Sequence, residues 1–197
     1  MPTRQLVLAS ASPARLRLLR EAGFDPTVMV SGVSEEVDDD HIPSLVLTLA
    51  ERKASAVAAR AGDALIIGCD SVFEFEGEAH GKPASAAQAV DWLSRMRGAE
   101  GILHTGHCVI DGSSGVVVTA TASTVVRFAP MTDDELHAYV DSGEALVVAG
   151  AFTLDGRSAP FVKGIDGDPG NVVGLSLPTF RLLLGRVGIE ITDLWAP

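Results

Sequence analysis

Apolar positions along this chain follow two rhythms, short uninterrupted runs and stretches that recur near every 3.6 residues, which predict strands and helices in turn. The first junction is LVLASASPARLRLLREAG, residues 6–23. Leu6 to Leu8 read as a buried strand, Ser12 as a helix N-cap and Pro13 as the first helical residue. Leu16, Leu18, Leu19 and Ala22 supply a packed face before Gly23 stops the helix. DPTVMVSG predicts a strand, SEEVDDD an acidic loop over 34–40, and IPSLVLTLAERKASAVAARAG one long helix. In that helix Leu45, Leu49, Ala54, Val57 and Ala58 share the helical repeat, and Gly62 ends it. ALIIGCDS, residues 64–71, reads as a central strand running directly into Asp70.

VFEFEGEAHGKP predicts a short extended arm, tight at Gly77 and Gly81, before Ser85 opens a helix packed through Ala87, Val90, Trp92, Leu93 and Met96. The Asp-Gly-Ser-Ser-Gly segment after Ile110 joins two strands into an antiparallel hairpin. Thr132 caps a compact helix, two further strands flank GAFTLDG, and a Gly-rich loop over 166–171 feeds a final leucine-rich helix. Strand–helix alternation in the first half and antiparallel strands later predict an α/β fold. Its expected form is a central mixed twisted sheet flanked by helices, with an antiparallel extension. The expected organisation is one domain over 1–197, with the option of two lobes around a substrate cleft.

Composition narrows the function. With 15 basic and 26 acidic residues the net charge is −11, so the mean field repels nucleic acid and anionic membrane, and neither is an expected partner. Cys69 and Cys108 stand far apart without a CxxC pair, as in a reduced cytoplasmic protein. The opening apolar run is too short for a secretory signal, and no apolar stretch approaches spanning length.

Several motifs carry candidate chemistry. The strand-to-helix step at Ser10, Ser12 and Arg15 presents hydroxyls, backbone N–H groups and a guanidinium fork to an anion, although an ordinary αβ junction has the same local features. Asp70 ends an apolar strand, a position from which a carboxylate projects toward a ligand. Glu35, Glu36, Asp38, Asp39 and Asp40 offer hard oxygens for Mg2+ or Mn2+, or form a solvated loop. Lys82 lies in GKP without the preceding residues of a P-loop, and Lys53 and Lys163 are further cations. DGDPGN fails as a calcium loop because its glycine is out of phase and its twelfth position is Leu177. No GxSxG is present, the five histidines show no assignable triad, and Cys69 reads as a buried thiol rather than a nucleophile. Cations, hydroxyls and the carboxylates Glu35 and Asp70 together suit hydrolysis of a phosphoanhydride.

The ordered series LASASPARLRLL, VSGVSEE, ERKA, IIGCDSV, HGKP, GEALVVAGAFTLDG and GIDGDPGNVVGLSLP, spanning about residues 6–180, resembles the Maf family of nucleoside triphosphate pyrophosphatases. That resemblance implies a cytoplasmic α/β protein, distantly similar to the inosine triphosphatase fold, often a homodimer. It implies hydrolysis of a nucleoside triphosphate to monophosphate and pyrophosphate with Mg2+ or Mn2+. Position by position it makes Ser10, Ser12, Arg15, Lys53 and Lys82 phosphate ligands, Asp70 the catalytic base, Glu35 and Asp70 metal ligands, and Asn171 and Gly174 part of a closing loop. The base-selecting positions depart from the familiar pattern: Ala14 replaces the first arginine of S-P-R-R, Ser71 stands where a thymidine/uridine branch has Thr, and Asp155 stands where Gln is common. Val148 also replaces a frequent lysine. The dTTP/UTP preference of one branch therefore does not transfer, and the 7-methyl-GTP branch, with a bulky aromatic near position 14, fits no better. The alternative from another class is a noncatalytic regulator of septum formation acting through a protein partner.

Overall fold

Ser12, Ser85, Thr132 and Ser176 each open a helix, their hydroxyls accepting a backbone N–H of its first turn. The computed structural model describes residues 4–37, 39 and 41–196, so Asp38 and Asp40 of the acidic loop lie outside the described residues. Strand β1 (Leu6–Leu8) leads to α1 (Pro13–Glu21), β2 (Thr27–Val28), α2 (Ile42–Ala61), β3 (Leu65–Phe75) and β4 (Glu78–His80). Then come α3 (Ala86–Met96), β5 (Glu100–Asp111), β6 (Val117–Phe128), α4 (Asp133–Asp141), β7 (Val162–Asp166), α5 (Pro169–Val173) and α6 (Leu177–Arg186). The sheet is mixed and flanked by helices, with strand order β2-β1-β3-β5-β6-β7 and β4 paired to β3. Helices α1, α3 and α4 have Ser12, Ser85 and Thr132 as N-caps, as the sequence predicts, and Thr132 also forms a full capping box with Glu135.

The described chain divides into two compact units, one holding residues up to Asp70, 105–122 and from Gly174 onward, the other 71–104 and 123–173. In the first unit β1 pairs in parallel with β2 and β3, placing Leu6 opposite Leu65 and Leu8 opposite Ile67. Both faces of β1 and of residues 65–70 in β3 are covered, which is why these two strands read as continuous apolar runs rather than alternating ones, while β2 at the sheet edge is exposed. Leu6, Leu8, Leu65, Ile67 and Cys69 pack with Leu19 of α1 and with Phe180, Leu183 and Leu184 of α6. Val7, Ala9 and Ile66 pack on the opposite side with Ala50, Ala54 and Val57 of α2. On this second side the sheet has no Cβ where the helix comes closest. A methyl on Gly68 would stand 2.5 Å from the Ala50 carbonyl oxygen, and one on Gly106 2.1 Å from that of Val46. Glycine inside an apolar strand marks close backbone approach, and here it lets α2 lie directly on β3 and β5. The buried stripe of α2 runs through Val46, Leu49, Ala50, Lys53, Ala54 and Val57, with Leu45 only half-buried.

In the second unit β3 extends to Phe75 and turns through Glu76 and Gly77, both at positive φ, into β4, so the expected loose arm is a hairpin. Phe73, Phe128 and Phe152 meet edge to face at 4.9–5.8 Å. The strand expected before GAFTLDG does not form. Residues Glu144–Val147 and Ala149–Ala151 make 3₁₀ turns, with Gly143, Gly150 and Ala151 at positive φ and the Tyr139 hydroxyl donating to the Ala151 carbonyl at 3.0 Å. Gly150 is forced by contact as well, since a Cβ there would meet the Phe73 Cβ at 2.7 Å. The strand expected after GAFTLDG is β7, antiparallel to β6 with Val126 opposite Ile165.

Gly106→Ala tests the helix seat. Backbone cannot yield as a side-chain tip does, so this variant is expected to lose about 2 kcal/mol or more, a fall in Tm of roughly 4–8 °C for a chain of this size. Thermal unfolding within about 1 °C of the wild type would show that α2 has slack there.

Candidate functional site

Two groups of polar side chains gather where β1 ends beside the middle of β3, which runs on past Asp70 to Phe75 instead of ending at the carboxylate. The two strands are joined there: the Ala9 N–H donates to the Ile67 carbonyl at 2.8 Å. The first group lies at the start of α1. The Ser12 hydroxyl accepts the Arg15 N–H at 3.4 Å, and the Ser10 hydroxyl accepts the Ser12 N–H at 3.2 Å and an Arg15 Nη1 proton at 3.1 Å. Arg15 is buried, and its Nε–H donates to the Gly174 carbonyl at 2.7 Å. Hydroxyls, a guanidinium and the amino end of a nine-residue helix form a donor-rich cradle suited to an anion. Ala14 is half-buried in the same turn.

The second group is a cation between two carboxylates. Lys53, on the buried stripe of α2, donates its Nζ protons to Glu35 Oε1 at 2.6 Å and to the Asp70 carboxylate. Lys53 and Asp70 are only 9% and 8% exposed, whereas the Glu35 side chain is 66% exposed. Desolvating either member of the inner pair alone would cost several kcal/mol, so the ion pair holds the two side chains in place. Glu35 adds acceptor capacity from the wet side.

Among the described residues no cluster of three or more His, Cys, Asp or Glu side chains forms a protein cage for a metal. The donor set nevertheless fits Mg2+ or Mn2+, because such ions take one or two carboxylates and complete their shell with water and substrate phosphate. Glu35 and Asp70, which converge on one ammonium, are the residues that could hold one.

Cys69 cannot share this chemistry. Successive strand residues face opposite ways, and Cys69 packs among Leu8, Leu19 and Phe180 on the α1 and α6 side of the sheet. Burial pushes its thiol up to about 12, offset only in part by the charge of Arg15. Cys108 is likewise pushed up to about 12, by burial first and then by the charge of Glu51.

The remaining sequence candidates belong to the second unit. Lys82 is exposed beyond β4, and Ser71 is half-buried in β3. Asp155 is exposed and accepts the Thr153 hydroxyl proton. Asn171 is fully buried, its amide donating to the Leu103 carbonyl at 3.0 Å and the Thr124 hydroxyl at 3.1 Å, and so tying α5 to β5 and β6. Sequence reading finds no histidine partnership, yet the structure forms one. His104 places Nδ1 2.8 Å from the Ser123 hydroxyl and Nε2 2.9 Å from a Glu74 carboxylate oxygen, a row across β3, β5 and β6. Only strand register could have revealed it. The burial of Lys53, by contrast, had a signal: it falls on the same helical repeat as Leu49, Ala54 and Val57.

The chain is similar to known proteins along its whole length. A protein named nucleoside triphosphate pyrophosphatase from Streptomyces coelicolor is 62% identical over 100% of this chain and 97% of its own length. Proteins of the same name from Salinispora tropica and Microcystis aeruginosa are 54% and 45% identical, covering 100% and 96% of this chain and 89% and 98% of themselves. The model of the family described as Maf-like protein matches residues 5–187, and with these relatives it shows that the chain belongs to the Maf family.

Proposed function

We propose that this chain hydrolyses nucleoside triphosphates to the nucleoside monophosphate and pyrophosphate. The observation that carries this reading is the meeting, where β1 ends beside the middle of β3, of an anion cradle with a carboxylate–ammonium–carboxylate set, in a chain whose relatives bear that activity in their name. Ser10, Ser12 and Arg15 bind phosphate oxygens, and Lys53 offsets charge as the substrate enters. Mg2+ or Mn2+ held by Glu35 and Asp70 supplies, when bound, neutralisation of the triphosphate and a more acidic water. The Asp70 carboxylate takes a proton from water as its oxygen bonds to the α-phosphorus. The bond from that phosphorus to the α–β bridging oxygen breaks, and pyrophosphate leaves with the electron pair.

The same reading makes Lys82 a phosphate ligand, Ala14, Ser71 and Asp155 selectors of the base, and Asn171 and Gly174 a closing loop; for these the resemblance is the support. It also makes the protein a cytoplasmic homodimer. Two buried thiols that form no disulfide suit a reducing compartment, and light scattering of the purified protein reads the dimer directly. No helix among the described residues is long and apolar enough to cross a membrane.

Pyrophosphate release from a panel of nucleoside triphosphates is the first test. Turnover is expected with Mg2+ or Mn2+, lost with chelator and restored by adding the ion back. A folded protein that releases none from any nucleotide would favour the noncatalytic regulator instead. Asp70→Asn keeps an acceptor for Lys53 and is expected to fold, while kcat falls by about 10²–10⁴. Near-normal turnover would remove Asp70 from the mechanism.

Asp155 gives a second test. An ionised carboxylate accepts but cannot donate, so it favours the amino edge of cytosine or the N–H edge of guanine over the carbonyl-rich edge of thymine. Asp155→Gln is expected to move the dTTP-to-CTP ratio of kcat/KM toward dTTP by about tenfold, or about 1.4 kcal/mol. An unchanged ratio would show that another group reads the base.

A further inference from the structure

We propose that His107 is a positioning residue for Arg15, acting through the backbone of residues 174–176. This inference rests on the reading that Arg15 holds the triphosphate. His107 lies in β5 with no exposed surface, and its Nε2 accepts the Ser176 N–H at 2.8 Å. A ring nitrogen that accepts an N–H carries no proton itself, so this bond fixes the ring proton on Nδ1.

Ser176 is where α6 begins. Its hydroxyl accepts the Thr179 N–H at 3.2 Å and its carbonyl the Phe180 N–H at 2.8 Å, while its own N–H precedes the helix and has no place in the helical ladder. The imidazole therefore supplies the acceptor that backbone geometry denies. Leu175 is fully buried in the core beside α1 and α6 and pins the middle of the segment. Gly174, two residues back from the anchored amide, turns its carbonyl onto the Arg15 Nε–H at 2.7 Å.

That turn has no slack. Gly174 sits at φ +118°, and a Cβ on it would stand 3.1 Å from the Arg15 Nε. The guanidinium is thus held at two corners, by Gly174 through Nε and by Ser10 through Nη1, the latter at 3.1 Å. A planar fork fixed at two corners has its direction set before any anion arrives, which removes the ordering cost from the binding step. Loss of the His107 acceptor would leave a buried N–H unsatisfied, shift the segment to rehydrate it and release the Nε corner. The effect falls on how well the phosphates are held, and the reacting groups at Asp70 are untouched.

The test separates this from the reading beneath it. In wild-type protein, long-range proton–nitrogen NMR of the imidazole is expected to show His107 protonated on Nδ1 and bare on Nε2; the opposite tautomer overturns the proposal. His107→Leu is expected to raise KM for the nucleotide about tenfold, equivalent to about 1.4 kcal/mol, with kcat within about twofold. In the same variant exchange of the Arg15 Nε–H should quicken by about tenfold or more, an effect visible without substrate. His107→Gln, whose amide oxygen reaches the same N–H, is expected to restore both. If the Leu variant does not fold, His107→Asn, too short to reach, takes its place. Arg15→Lys is the control. Should it leave KM unchanged, the phosphate role of Arg15 fails, whatever exchange at Nε shows. Should it raise KM while neither His107→Leu nor His107→Asn does, the positioning role fails and the phosphate role stands.

Discussion

The charged group at the middle of β3 depends on how closely α2 can lie on the sheet. Residues 66, 68 and 70 share one face of β3, and at the middle one the absence of a side chain lets the helix backbone come within contact distance. Ala54 meets Gly68, and the preceding residue, Lys53, is then carried onto the carboxylate two positions further along the same strand face. A helix held off by one methyl layer would present the ammonium to water. The lysine is buried because small residues on both surfaces bring it there, and no long-range attraction is needed to explain its position.

Once there, the ammonium solves a problem that the chain's own charge creates. A protein carrying −11 has no general attraction for a polyanion, and two carboxylates on one edge would repel it further. Lys53 cancels much of that charge locally, and Arg15 adds a second cation on the neighbouring strand end. The two are built differently. Lys53 is a point charge shared between a buried carboxylate and an exposed one, while Arg15 is a fork fixed by a backbone carbonyl and a hydroxyl. Charge and direction are supplied by separate residues.

Legibility in the sequence followed the range of the forces involved. Ser12, Ser85 and Thr132 announce their helices because capping is settled within four residues, and all three cap as expected. GEALVVAG misleads because its apolar run has the composition of a strand, while Gly143, Gly150 and Ala151 adopt positive φ to fold it around Phe73 and Tyr139. The cradle at Ser10, Ser12 and Arg15 was visible as a local junction, yet Gly174 as its carbonyl partner lies 159 positions away in the chain. Glu35, Lys53 and Asp70 were each identifiable as candidates; their convergence on one nitrogen needed the fold. Gly68 and Gly106 did carry a readable signal, glycine within a strand, and its meaning became specific only when the helix above them was known.

The Cys-Asp dipeptide in the middle of β3 has a consequence for chemical intervention. Strand alternation turns Cys69 toward the inner core and Asp70 toward the polar edge, and burial keeps the thiol in its protonated, unreactive form. A sulfur atom next in sequence to the central carboxylate therefore offers no anchor to an acrylamide or chloroacetamide warhead. On the proposed reading an inhibitor pairs its own negative charge reversibly with Arg15 and Lys53, which places the burden of design on anionic isosteres and their passage through membranes.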